Sequence, residues 1–169
     1  MPKVESSISA LDPDHPAPLA QQVVEIDQRG RLRIPASFVE ATSWLSAKGA
    51  LGEALMVLDE PGRIVLLPWE TEGARVVKRR LELIELAEHD DGAAEDLRLL
   101  EDRYKRLQIP KKDLRLTLTD EIMAHLGIMP TKAKAIAYVL RTRDRIEIWS
   151  AKYRDDRLPS HESALHNLP

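Results

Sequence analysis

The chain has 169 residues, with 25 Lys plus Arg against 28 Asp plus Glu, a net charge of −3, 43% hydrophobic residues and no cysteine. This is enough apolar material for one ordinary domain or two small ones, and the missing cysteine excludes disulfides, thiolate metal centres and thiol nucleophiles. No apolar run reaches the roughly 18 residues of a membrane span and no signal-peptide core is visible, so a cytoplasmic protein is expected; the acidic balance means that nucleic-acid binding must rest on local basic patches.

Residues 1–20, rich in Ser, Asp and Pro, read as a flexible arm. Gln22–Ile26 is a strand candidate, Asp27-Gln28-Arg29-Gly30 a turn, and Arg31-Leu32-Arg33-Ile34 a half-buried strand of period two. Pro35 can open a helix over Ala36–Leu45, with Phe38, Val39 and Thr42 inward. Ala54–Leu58 and Arg63–Leu67 flank the turn Asp59-Glu60-Pro61-Gly62, which predicts a hairpin. The middle, 71–108, reads as helical. Val77, Leu81, Ile84 and Leu86 or Ala87 form one stripe, and Ala93, Leu97, Leu100, Tyr104 and Leu107 form a narrower seam beyond a break at Asp90-Asp91-Gly92. The economical arrangement is an αα-hairpin, and an intersubunit role for either stripe is equally allowed. From Ile109 a second block follows: a strand at Leu114–Leu118, a helix from Glu121 to Leu126 capped by Thr119 or Asp120 and closed by Gly127, and a hairpin of Ala135–Leu140 with Arg145–Trp149. Residues 155–169 read as a tail.

The two blocks repeat. Arg31 overlays Arg115, Ile34 overlays Leu118, Pro35 overlays Thr119 and Phe38 overlays Ile122. After a length difference of two residues, Val57 overlays Val139, Leu58 overlays Leu140, Arg63 overlays Arg145 and Ile64 overlays Ile146. The first block has an extra leading strand. Such a repeat predicts two halves, 21–70 and 109–154, that complete each other's core.

Asp27-Gln28-Arg29-Gly30-Arg31-Leu32-Arg33-Ile34-Pro35 resembles the DxxGRxxIP signature of AbrB/SpoVT/MazE-type swapped-hairpin domains. The tandem copies, the intervening helices and Asp144-Arg145-Ile146-Glu147-Ile148-Trp149 resemble the MraZ family, over residues 22 to about 153. The resemblance implies an α+β, mainly β fold: two swapped-hairpin units in a pseudo-two-fold double-split β-barrel with helices between them. It also implies a transcriptional regulator that assembles into rings on repeated DNA elements. The first copy keeps the family's DxxxR pattern as Asp27 and Arg31. The second copy has Lys111 and Leu114 where Asp and Gly would stand, which argues against a tight turn there.

Two basic clusters are candidates for double-stranded DNA. Arg29, Arg31 and Arg33 lie on a turn and strand of the kind that can enter a major groove; Arg29 at the tip suits a base, and Arg31 and Arg33 suit phosphates. Asp27 and Gly30 form the turn. Lys111, Lys112 and Arg115 are the preferred members of the second cluster, because Arg103 and Arg106 have helix acids such as Glu101 and Asp102 nearby. Arg141, Arg143 and Arg145 read as a solvated turn. Several subunits on evenly spaced operator repeats would compensate for few contacts per subunit.

Enzyme readings lack a constellation. His15, His89, His125, His161 and His166 are scattered, without HExxH spacing, and no P-loop, GxGxxG or nucleophile elbow occurs. Trp44, Trp69 and Trp149 are expected in hydrophobic clusters. No enzyme activity, metal, cofactor or small-molecule ligand is expected. The leading expectation is a nucleoid-associated, homo-oligomeric DNA-binding regulator. An oligomeric protein-interaction module and an AbrB/MazE-type antitoxin are the alternatives.

Overall fold

Alternating apolar side chains carry the strands, and short caps and turns set where they end. The computed structural model describes residues 19–46, 51–129 and 135–157. Most of the expected arm (1–18), the tail beyond 157, and His15, His161 and His166 lie outside these residues. The described strands are β1 (Ala20–Ile26), β2 (Arg31–Arg33), β3 (Leu51–Leu58), β4 (Arg63–Pro68), β5 (Tyr104–Pro110), β6 (Arg115–Thr117), β7 (Ala135–Arg141) and β8 (Ile146–Ser150). The described helices are α1 (Ala36–Ala41), α2 (Ser43–Ser46), α3 (Ala74–Ala87), α4 (Asp91–Arg103), α5 (Asp120–Leu126) and α6 (Ala151–Arg157), with a π-helical turn at Trp69–Gly73 before α3. None of them is long and apolar enough to cross a membrane.

The fold is α+β. Six strands form one antiparallel sheet in the order β1-β7-β8-β4-β3-β5, while β2 and β6 form a separate antiparallel ribbon. The six-stranded sheet is not closed, and β1 and β5 are its edges. Each copy's leading strand pairs with the other copy's hairpin: β1 with β7, and β5 with β3. The two hairpins meet at the centre, where β4 pairs with β8.

One face of the sheet carries the main core. Val24, Ile26, Met56, Ile64, Leu66, Val139, Ile146 and Ile148 pack there with Leu32, Ile34, Leu116 and Leu118 from the ribbon and with Phe38, Ile122 and Met123 from α1 and α5. Full burial of each such side chain is worth about 1.5–3 kcal/mol. The opposite face is covered in two parts. Leu55, Val57 and Val65 pack with Trp69, Val76 and Tyr104 on the side of the helical hairpin α3–α4. Leu140, Trp149 and Tyr153 cluster near α6, with the Trp149 and Tyr153 rings edge to face at 5.0 Å.

Between these two parts lies a buried ion cluster. Arg63 Nε donates to Glu147 Oε1 at 2.7 Å, and its Nη1 sits 3.1 Å from Asp59 Oδ2. Trp149 Nε1 donates to the same Glu147 oxygen at 3.0 Å, and Arg145 Nε lies 3.7 Å from the other. Burial works against the charge on Arg63, but the attraction and hydrogen bond of Glu147, helped by Asp59, more than offset it and raise its pKa above the usual arginine range.

The structure corrects the predicted middle. α4 ends at Arg103, and Tyr104 and Leu107 belong to β5, not to a helical seam. β5 is the second copy's leading strand, so both copies have one. Val77, Leu81 and Ile84 are exposed at 42%, 58% and 37%, and Leu83 is the buried residue of α3. Asp90 caps α4, its Oδ1 accepting from Gly92 N at 2.9 Å, and Arg80 meets Glu101 across the αα-hairpin at 3.1 Å. The predicted helix over Ala36–Leu45 is split at Thr42, which is extended and whose hydroxyl donates to Phe38 O at 2.7 Å. Pro35 stands just before α1 at its N-cap, and Thr119 caps α5 in the same role, its Oγ1 accepting from Ile122 N at 3.4 Å. α6 continues through Arg157, beyond the predicted start of the tail.

Burial also corrects the overlay of the repeats. Val57 and Val139 lie on opposite faces of the sheet, as do Leu58 and Leu140. The faces match when Ala54 is set against Ala137 and Met56 against Val139. The length difference therefore falls in two places, one residue before the hairpin and one in its turn. In the other direction, Ile26 corresponds to Ile109 and Leu32 to Leu116, so the second copy has one extra residue in its first turn.

That turn is present in both copies. Gly30 N donates to Asp27 O at 3.0 Å, and Leu114 N donates to Pro110 O at 2.8 Å. Gly30 has φ +75° and Leu114 has φ +56°, so a leucine holds the left-handed position that glycine holds in the first copy. The left-handed backbone costs a non-glycine residue about 1–2 kcal/mol, and burial of the Leu114 side chain in the main core offsets it. A Cβ on Gly30 would sit 2.6 Å from Leu118 O, a backbone atom tied into the ribbon. Gly30→Ala is therefore expected to lower stability by about 1–3 kcal/mol, measured by urea unfolding; an unchanged midpoint would contradict this account.

Candidate nucleic-acid interface

The ribbon is built from two three-residue strands whose apolar residues face the sheet and whose polar residues face out. Leu32 pairs with Leu116 and both are buried; Arg33 pairs with Arg115, and both are exposed. Arg31 pairs with Thr117. The ribbon is extended at both ends by its turns: Leu118 N donates to Gly30 O at 2.7 Å, and Ile34 N donates to Leu114 O at 3.0 Å.

Antiparallel pairing places the first turn at one end of the ribbon and the second turn at the other. Arg29 is exposed at one tip, Lys112 is exposed and Lys111 half-buried at the other, and Arg33 and Arg115 lie between them. The structure thus joins into one strip the two basic clusters that the sequence showed separately. At about 3.4 Å per residue, the strip is only a few residues long in each strand.

Two identical charges directly opposite on one sheet face repel. Among the described residues, no ion pair joins Arg29, Arg33, Lys111, Lys112 or Arg115 to an acid. Arg31 differs. Its Nε donates to Asp27 Oδ2 at 2.8 Å, while Asp27 Oδ1 accepts from the backbone N–H groups of Arg29 and Arg31, both at 2.9 Å. Asp27 and Arg31 are therefore the staple of the turn that presents Arg29. In the second turn Asp113 makes the corresponding short bond, accepting from Arg115 N at 3.1 Å.

The Arg31 backbone N–H, working against partial desolvation, and then the Arg31 side chain and the Arg29 N–H, hold the Asp27 carboxyl below the usual carboxylate range. Because the folded pKa is depressed, its contribution to stability is present above the unfolded value and is lost as pH falls through the folded one. Asp27→Asn is expected to be less stable than the parent at pH 7, with the difference narrowing as the solution is acidified below the ordinary value of 3.8. Thermal unfolding of both proteins along a pH series measures it; a constant gap would contradict the assignment.

The neighbouring arginines are occupied. Arg106 pairs with Glu53 at 2.7 Å and lies 4.5 Å over the Trp69 ring; Arg103 pairs with Asp59 at 3.4 Å. Their partners are strand and turn acids, not Glu101 and Asp102. Lys105 reaches Glu121 at 3.4 Å. His125 Nε2 meets Arg63 O at 2.8 Å, a structural contact. Among the described residues, no group of three or more His, Asp or Glu is placed to hold a metal ion. Trp44 packs against the main core, and Trp69 and Trp149 against the clusters on the other face.

The fold and site define an α+β protein that presents a short basic ribbon, held by two left-handed turns, on one side of an open antiparallel sheet. Compared with models of known protein families and with curated proteins, the chain matches none.

Proposed function

We propose that this chain is a MraZ-like, DNA-binding transcriptional regulator of the swapped-hairpin type, whose basic ribbon and turn tips sit on operator DNA. The observation that carries the reading is the cross-strand Arg33–Arg115 pair with Arg29 and Lys112 at the two ends, in a chain whose net charge is −3. A polyanion relieves the repulsion that the ribbon otherwise bears. The pairing of each leading strand with the opposite hairpin supports the double-split barrel arrangement of two interlocked units. Bound operator would be blocked or altered for promoter access, and nucleoid association follows.

One ribbon offers few phosphate contacts, so the regulator acts as a homo-oligomer, ring-like, on repeated sites. The exposed stripe of Val77, Leu81 and Ile84 on α3 supports subunit contacts. The same stripe favours a second reading, an oligomeric protein-interaction module without DNA. Fluorescence anisotropy on duplexes carrying one or several evenly spaced sites separates the two readings. The regulator binds with affinity that falls steeply with salt and rises with site number. Absence of salt-dependent binding at low ionic strength would overturn it in favour of the interaction module.

A further inference from the structure

Across the sheet from the ribbon, a cavity of about 360 Å³ opens between the central hairpin and the α3–α4 helices. Its lining includes Arg63 from β4, Arg145 from the turn before β8, Arg75 and Arg79 from α3 and Arg103 from α4. The carboxylates in the lining are Asp59 and Glu72, and Glu147 stands behind Arg63 and Arg145. With Glu82 beside Arg79, five guanidinium groups thus meet four carboxylates, which leaves an excess of one positive charge. The floor is apolar, with Leu55, Val65 and Leu100. The volume falls in the range of small-ligand sites, about 300–1,000 Å³.

The arginines differ in availability. Arg63 is buried and committed to Glu147 and Asp59. Arg75 and Arg79 stand one helical turn apart on α3, with side chains 79% and 52% exposed and partners Glu72 and Glu82 at 3.5 and 3.4 Å. Arg103 reaches Asp59 at 3.4 Å from the end of α4. Such exposed, long ion pairs contribute about 0–1 kcal/mol each, so an anion with better geometry can displace them. Like charges a turn apart on a helix repel, and a guanidinium fork matches phosphate oxygens with paired hydrogen bonds.

We propose that this cavity binds a small organic phosphate monoester: the dianionic phosphate lies among Arg75, Arg79 and Arg103, and an apolar or aromatic body rests on the Leu55–Val65–Leu100 floor. The net positive charge and three guanidinium forks held only by long ion pairs favour an anion, and the floor explains why an organic body is required as well as a charge. The site uses none of the ribbon residues and does not rest on the DNA reading.

The test is isothermal titration calorimetry of the full chain with phenyl phosphate, inorganic phosphate and benzyl alcohol. Phenyl phosphate binds one to one, more tightly than inorganic phosphate, and benzyl alcohol gives no binding. The double variant Arg75→Ala/Arg79→Ala loses about tenfold or more in phenyl phosphate affinity, the worth of a charge-assisted hydrogen bond. Both side chains are exposed, so the variant keeps the parent's ligand-free Tm, which is checked alongside. Arg33→Ala/Arg115→Ala binds phenyl phosphate as the parent does, whatever becomes of DNA binding. The proposal is overturned by no saturable binding of phenyl phosphate at millimolar concentration. It is equally overturned by parent-like affinity in the Arg75/Arg79 variant, or by inorganic phosphate binding as tightly as phenyl phosphate.

Discussion

Replacing Arg33 and Arg115 together by alanine is expected to weaken DNA binding while leaving the free protein as stable as before, or more so. The two effects have one origin. The side chains are direct cross-strand neighbours, and opposed like charges cost about 0.2–1 kcal/mol in a sheet. Removing them relieves that repulsion in the free protein and removes two cations that would otherwise displace counterions from DNA. Each phosphate contact contributes about 0.9 to the slope of log affinity against log salt, so the double variant should lose about 1.8 from that slope. A loss of affinity caused by misfolding would lower stability as well, so opposite movements of the two readouts identify the ribbon as the contact surface. Anisotropy titrations at several salt concentrations, beside urea unfolding, supply both. A parent-like slope would remove the ribbon from the interface. Arg29→Ala serves as a further probe: a base contact at the turn tip changes sequence preference, whereas a phosphate contact lowers affinity on every sequence.

The largest expected effect on stability comes from Glu147→Ala. This change leaves Arg63, 1% exposed, with Asp59 as its remaining paired carboxylate and takes away the acceptor of Trp149 Nε1. Breaking a buried pair from one side typically costs about 3–5 kcal/mol, because the surviving charge stays desolvated. Urea unfolding at neutral pH measures the loss. Glu147→Gln keeps the acceptor for Trp149 but not the charge, and should fall between the parent and the alanine variant. Changing both partners to apolar residues, Arg63→Met with Glu147→Leu, should recover much of the loss, since no unpaired charge remains. A Glu147→Ala variant within about 1 kcal/mol of the parent would show that Asp59 suffices as counterion.

Local chemistry made several elements readable from sequence. The Asp27–Gly30 turn, the Thr119 cap with Gly127 at the far end of α5, and both hairpins depend on residues close together in the chain, and all are found. β5 was hidden because Leu100, Tyr104 and Leu107 keep a helical three-and-four spacing, although Arg106–Ile109 also alternates. The free edge of β3 decides between the two, and that edge is distant in sequence. The position of Leu114 was hidden for a related reason: propensity assigns a left-handed turn to glycine, and the compensating burial exists only once the core has formed. The candidate DNA residues were legible as two runs of positive charge. Their union through Arg33 and Arg115 was not, because it requires pairing β2 with β6. Nor did the sequence show that Arg31 is spent on Asp27, a contact that depends on the bend of the turn.

Val65 and Glu147 are counterparts in the two halves, and they face each other across the central strands. In an assembly of two identical half-length chains, that position would meet itself. It would then be either two opposed carboxylates or two valines, with Asp59 left as the one carboxylate paired with the buried Arg63. Fusion into a single polypeptide lets one side supply the negative charge and the other the space, so Arg63 and Arg145 share a single Glu. Covalent linkage thus permits a division of labour at the centre of the sheet that a true homodimer is denied, and a chain cut between the halves would inherit a seam with only one possible partner.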